Sequence, residues 1–171
     1  MQRLHIIGRK NHGKTALLVE LVQEFVRLGV PVGTIKHTHH HHELDLPGKD
    51  SFRHRTAGAQ AAGILSPSMS AIFLPTGKKD SEQEDRYAAF APMFAQCRFV
   101  LVEGDSQTTA PKIEVWRNDL ETPPLAVEDP SILAVVTDDK PLVAAEVLPR
   151  SDIEGLSNWI LSRVIDRLPL G

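Results

Sequence analysis

Between an apolar tetrapeptide and an amphipathic segment lies Gly8-Arg9-Lys10-Asn11-His12-Gly13-Lys14-Thr15, which fits G-x-x-x-x-G-K-[ST] at every fixed position. No other feature constrains the fold as strongly, because such a loop works only where a buried strand runs into it and a helix leaves it. The backbone must wrap around phosphate oxygens with its N–H groups inward, so glycine is needed where it turns tightly. The following helix offers its N-terminal dipole and free amides to the anion. Lys14 reaches the β- and γ-phosphates as a mobile charge, and the Thr15 hydroxyl is placed to ligate magnesium. Residues Gly8, Arg9, Lys10, Asn11, His12, Gly13, Lys14, Thr15 and Ala16 are therefore expected to line a bound nucleoside triphosphate.

The flanks meet the demand. Leu4-His5-Ile6-Ile7 reads as a buried strand, and residues 15–28 carry Leu17, Leu18, Leu21, Val22, Phe25 and Val26 at helical spacing, with Gly29 as the stop. Residues 30–35 read as a second strand, which makes a βαβ unit with parallel pairing. Further on, the pattern predicts a helix over 51–62, strands over 63–66 and 70–74, a turn at 77–80 and a helix over 82–94. Strands are expected at 99–103 and 132–136, an edge or near-edge strand at 112–116 where apolar and charged residues alternate, and a closing helix over 153–165. With 171 residues, the chain suits one α/β domain of P-loop NTPase type, spanning 1–171, with a mostly parallel doubly wound sheet and flanking helices.

Composition narrows the function classes. A net charge of −3 argues against a broad nucleic-acid or membrane-surface role. Cys97 is the single cysteine, so an intramolecular disulfide is excluded and a reducing compartment fits. No apolar run approaches the ~18 residues of a membrane span. Met1-Gln2-Arg3 runs straight into a strand and leaves no room for a signal peptide, so the expected location is cytoplasmic.

A P-loop protein also needs an acid at the end of a neighbouring strand. Glu103, after four apolar residues and before Gly104, is the best candidate to hold magnesium with Thr15, and Gly104 leaves space beside it. Lys14 and Glu103 are the expected catalytic pair. Asp45 and Asp50 are weaker candidates for contact with magnesium or with water. Lys36 and His37 close the second strand at the same sheet edge and can face the ligand. The run His39 to His42 is open to three readings: anion contact, a transition-metal site, or a solvated polar loop. Lys49 and Arg53 fall one helical turn apart in a basic cluster with His54 and Arg55, which suits a phosphate group or a solvated face. No N-K-x-D segment is present, but Asp138 follows an apolar strand at a comparable point in chain order and is the candidate acceptor for guanine N–H groups. Asp152 reads as the N-cap of the last helix.

The chain resembles the MobB family, the molybdopterin-guanine dinucleotide biosynthesis adapter proteins, over nearly its whole length. The carriers are the P-loop, the stretch from Val32 to His37 with its histidine-rich continuation, and the block from Asp45 to Arg55. Ala57-Gly58-Ala59, Val100-Leu101-Val102-Glu103-Gly104 and Pro111-Lys112-Ile113-Glu114-Val115 complete them. The resemblance implies a GTP-binding protein with weak hydrolysis, a homodimer, acting beside the MobA guanylyltransferase that couples GMP to molybdopterin. It also implies Glu103-Gly104 as the magnesium-side element. One departure is Asp105 and the loop to Ala110, where the resembled pattern carries a Phe-Lys pair. Two other readings compete. A small-molecule kinase would need lid arginines, and residues 76–98 offer only Arg86 and Arg98; a nickel-insertion GTPase would want a Cys-His site, and Cys97 stands alone. Ile113, Val115 and Trp116 are the expected dimer patch.

Overall fold

The computed structural model describes residues 1–38, 43–74 and 87–167. The chain divides into two compact units, Met1–Thr38 with Tyr87–Gly171, and His39–Arg86. The histidine run 39–42, the turn 77–80, Arg86 and the first part of the helix expected over 82–94 lie outside the described residues.

In the first unit, β1 (Arg3–Ile7) runs into the P-loop and α1 (Lys14–Arg27) leaves it, followed by β2 (Val32–Lys36). The unit continues with β5 (Phe99–Glu103), β6 (Lys112–Val115), β7 (Ile132–Val136) and β8 (Glu146–Leu148), the strands β3 (Ala62–Leu65) and β4 (Ser70–Phe73) belonging to the second unit. The strand order is β2-β5-β1-β6-β7-β8 and every pairing is parallel. This is the expected doubly wound architecture. Connections run to one side of β1 first and to the other side afterwards, so the crevice of such a sheet opens at the carboxyl end of β1.

Continuous burial explains the strands. Leu4 and Ile6 of β1 and Phe99 and Leu101 of β5 form one core with Leu17, Leu21 and Phe25 of α1 and with Leu156 and Ile160 of the last helix. On the opposite face, Ile7, Trp116, Ala126, Ile132 and Val135 form one cluster and Tyr87, Val100 and Val102 another. The last helix, α3 (Ile153–Trp159), continues through a π turn at Ile160–Val164. Its N-cap is Asp152, which accepts from Gly155 N at 2.8 Å, as the sequence indicates.

Three expectations need correction in this unit, and one strand was missed. The strand β6 is central, paired to β1 and β7, and its charged residues Lys112 and Glu114 are buried. Alternation of charge here marks side chains that hold loop main chain, not a wet face. Ile113, Val115 and Trp116 are buried in the core and form no dimer patch. Residues Ala88–Phe94 form a 3₁₀ helix carrying Pro92, which has no N–H to give an α-helix. The short β8 was not anticipated, because three residues are too few to display a period.

The second unit holds α2 (Asp50–Thr56) and an antiparallel hairpin of β3 (Ala62–Leu65) and β4 (Ser70–Phe73). The helix ends earlier than the pattern suggested, where Gly58 takes φ 106°. Asp45 is buried and accepts from Ser51 Oγ at 2.9 Å and from Leu46 N at 2.9 Å, with Arg55 Nε at 3.9 Å. Arg55 also pairs with Glu43 at 2.6 Å. Asp45 thus fastens its own unit together, and the reading of it as a magnesium contact gives way. Asp50 is exposed in the first turn of α2, 4.0 Å from Arg53.

Candidate functional site

Parallel pairing brings the carboxyl ends of β1, β2, β5 and β7 to one edge of the sheet, and with them the P-loop, Lys36, Glu103 and Asp138. The loop begins at Gly8 with φ 145°, where a Cβ would lie 2.5 Å from the Val115 carbonyl oxygen, so no other residue fits that approach to β6. Asn11 and Gly13 also take left-handed backbone conformations, at φ 69° and 94°. Lys14 Nζ donates to the carbonyls of Gly8 and Arg9, both at 2.8 Å, so the ammonium is drawn across the loop. Burial lowers its pKa, opposed by the nearby Glu103 carboxylate and reinforced by Lys36.

The Thr15 hydroxyl donates to Glu103 Oε1 at 2.9 Å, and Lys36 Nζ stands 3.6 Å from the same oxygen. Two hard oxygen donors from different elements therefore meet beside the first turn of α1, a donor set that fits magnesium. Lys14, Thr15, Lys36 and Glu103 are the sequence-predicted residues that the fold brings together. Ala16 is exposed in the same first turn. Gly104 takes φ 95°, and a Cβ there would come 3.1 Å from the His37 carbonyl oxygen. The glycine is thus required by the close approach of the chain after β2, a different reason from the one expected.

Other predicted residues are engaged elsewhere. His12 is buried and turned toward the segment after β6: its Nδ1 accepts from Arg117 N at 3.0 Å, which leaves the proton on Nε2 for Thr122 Oγ1 at 3.0 Å. Burial, then the charges of Lys14 and Arg9, keep that imidazole below its usual pKa. Arg9 Nε reaches toward Pro123 O at 3.5 Å. Lys10 is exposed. The P-loop interior thus grips the 117–123 segment. The His37 side chain points to Tyr87, with Nδ1 2.8 Å from the phenol oxygen. Asp138 Oδ1 accepts from Ser151 N at 2.9 Å and Ser151 Oγ at 2.8 Å, which hold the carboxyl below its ordinary pKa. Asp139 Oδ2 accepts from Asn118 N at 2.8 Å, so the loops after β6, β7 and β8 are laced together at the site edge. Lys49 and Arg53 belong to the second unit, where Arg53 N donates to Lys49 O at 2.9 Å as the helical spacing required. Arg98 is paired with Asp166 at 2.5 Å, so this arginine is engaged in a surface pair.

Sequence reasoning missed the supports of the site. Lys112 Nζ donates to Ser106 O at 2.9 Å and Thr108 O at 3.2 Å and pairs with Asp129 at 2.7 Å. Glu114 accepts from Leu125 N at 2.7 Å and Ala126 N at 2.9 Å, while burial raises its pKa against those bonds. His5, buried on β1, faces the Gly104 carbonyl at 3.2 Å through Nδ1, and burial pushes its pKa down to about 4. A charged pair at alternate positions between continuous apolar strands was the available signal.

Comparison with known proteins agrees with this fold. A sequence model of the family described as MobB, molybdopterin guanine dinucleotide synthesis protein B, matches residues 3–138. The chain is 32% identical over 151 residues to the molybdopterin-guanine dinucleotide biosynthesis adapter protein of Escherichia coli K12, covering 87% of this chain and 85% of that one. It is 33% identical over 167 residues to the adapter protein of the same name from Haemophilus influenzae, covering 92% and 88%. A crystal structure of a MobB homolog from Bacillus stearothermophilus superposes with a TM-score of 0.63 at 25% identity, over 98% of this chain and 100% of that one. A second crystal structure, of molybdopterin-guanine biosynthesis protein B, gives 0.68 at 24% identity over 94% and 97%, and supports the fold.

Proposed function

The chain belongs to the MobB family, and from that premise we propose that it is a GTP-binding adapter in molybdenum cofactor biosynthesis, a weak magnesium-dependent GTPase assisting a MobA-type guanylyltransferase. The observation that carries the nucleotide half of this reading is the convergence of Lys14, Thr15 and Glu103 at the start of α1. In it, the amides of residues 8–16 and the Lys14 ammonium hold the triphosphate, and Lys36 adds a cation beside Glu103. Thr15 and Glu103 would hold magnesium, which when bound neutralises charge on the phosphate oxygens. Asp138, fixed through Oδ1 by Ser151, offers its carboxylate to guanine N–H groups at the end of β7.

What surrounds Glu103 supports the reading of slow hydrolysis. Among the described residues, its carboxylate meets Thr15 and Lys36 and its carbonyl accepts from the His37 amide, and no glutamine or arginine side chain is bonded to the carboxylate to orient water or neutralise a transition state. The isolated protein should therefore turn over GTP below about one per minute, with any acceleration supplied by the partner. A phosphate-release assay on the isolated protein, then with a MobA-type enzyme added, tests this. Turnover near one per second without a partner would remove the adapter reading. The protein would act in the cytoplasm as a homodimer, with molybdopterin or its guanine dinucleotide as the species passed on.

A further inference from the structure

The chain leaves the first unit after Thr38 and returns to it at Tyr87. His37 and Tyr87, which flank the two crossings, are joined side chain to side chain: His37 Nδ1 lies 2.8 Å from the Tyr87 phenol oxygen. The phenol donates its one proton to Asp105 Oδ2 at 2.8 Å, so His37 Nδ1 is the donor to the phenol. Core packing fixes that hydroxyl. Tyr87 is buried, with His5 edge-on at 5.3 Å and the Arg3 guanidinium 4.6 Å from the ring centroid.

Asp105 is the second residue after Glu103. It takes φ 61° directly after Gly104 at 95°, so two left-handed residues carry the chain from the site acid to this carboxylate. From the other side, His37 N donates to the Glu103 carbonyl at 2.9 Å. The loop of the site acid is thus bonded through main chain and side chain to the residues at both crossings.

We propose that Tyr87 and Asp105 are positioning residues that couple nucleotide at the Glu103 edge to the chain at residues 37 and 87, through the phenol–carboxylate hydrogen bond. The inference rests on the nucleotide reading above. A ligand that engages Glu103 sets the conformation of residues 104–105, and a directional hydrogen bond passes that setting to Tyr87 and His37.

Amide hydrogen exchange on the full chain, with and without GTP and magnesium, tests the link in wild type, Tyr87→Phe, Asp105→Gly and Asp105→Asn. Asp105→Gly breaks the bond without touching the packed ring, and Asp105→Asn keeps an acceptor and tolerates the positive φ. Nucleotide should slow exchange in residues 8–15 in all four proteins. In wild type and Asp105→Asn it should also slow residues 35–38 and 87–90 by about tenfold or more. In Tyr87→Phe and Asp105→Gly that second protection should fall below about twofold. Equal protection at the crossings in all four proteins, or none there in wild type while residues 8–15 are protected, overturns this inference alone. No protection of residues 8–15 in wild type overturns the nucleotide reading and this inference with it.

Discussion

At the residue scale, the Lys14 ammonium is drawn to the Gly8 and Arg9 carbonyls, where in the proposed site phosphate oxygens would compete for it. Gly8 has a separate task. Gly8→Ala would press a methyl against the Val115 carbonyl and hold φ in a strained region, so the loop should lose its shape. Nucleotide affinity is expected to fall at least about tenfold by calorimetry, with a melting temperature lowered by several degrees, about 2 kcal/mol of destabilisation. An unchanged affinity would mean that the loop does not need this approach to β6. The spacing of Lys14 and Thr15 and the strand-end position of Glu103 were legible because each is fixed by local chain geometry. The inward turn of His12 was not. Its partners Arg117 and Thr122 lie more than 100 positions away, and only the sheet order makes them neighbours.

At the scale of elements, β6 shows why alternation misleads. Lys-Ile-Glu-Val reads as a half-wet edge, but all four residues are buried, and the two charges fasten the main chain of neighbouring segments. Lys112→Met should cost about 2–4 kcal/mol by denaturant unfolding, since it strands the Ser106 and Thr108 carbonyls and the Asp129 carboxylate. Asp129→Asn should cost less, because that carboxylate is partly exposed. The same pair predicts a pH effect. The Lys112 ammonium, with Ser131, holds the Asp129 carboxyl down to about 2, below its unfolded value. Its contribution is therefore fully present above pH ~4 and lost as pH falls toward 2. The stabilities of wild type and Asp129→Asn, read by denaturant unfolding at each pH, should converge as pH falls toward 2, and a constant gap down to pH 2 would contradict the assignment. The apolar strands and α1 were legible because burial on both sheet faces writes continuous hydrophobic runs; β8 and the 3₁₀ segment with Pro92 were too short or too irregular to leave a period.

At the scale of the whole molecule, the proposed homodimer needs a surface other than the one read from sequence. The β3–β4 hairpin exposes Leu65 at 87%, Met69 at 72% and Ile72 at 51%, and among the described residues its two strands pair only with each other. Unpaired strand edges with apolar side chains favour pairing with another chain. Leu65→Asp with Ile72→Asp should lower the sedimentation coefficient to that of a monomer and leave GTP affinity within about twofold. A double variant that sediments as wild type would exclude the hairpin as the interface.

The central claim, guanine nucleotide held by the P-loop with Thr15 and Glu103, is tested most directly by titrating GTP and ATP with magnesium into wild type and Lys14→Ala by calorimetry. The account predicts GTP binding at least about tenfold tighter than ATP, and loss of both in the variant, since Lys14 is the cation that the loop holds ready. Equal affinity for ATP would contradict the guanine role of Asp138, and undiminished GTP binding by Lys14→Ala would contradict the phosphate site itself.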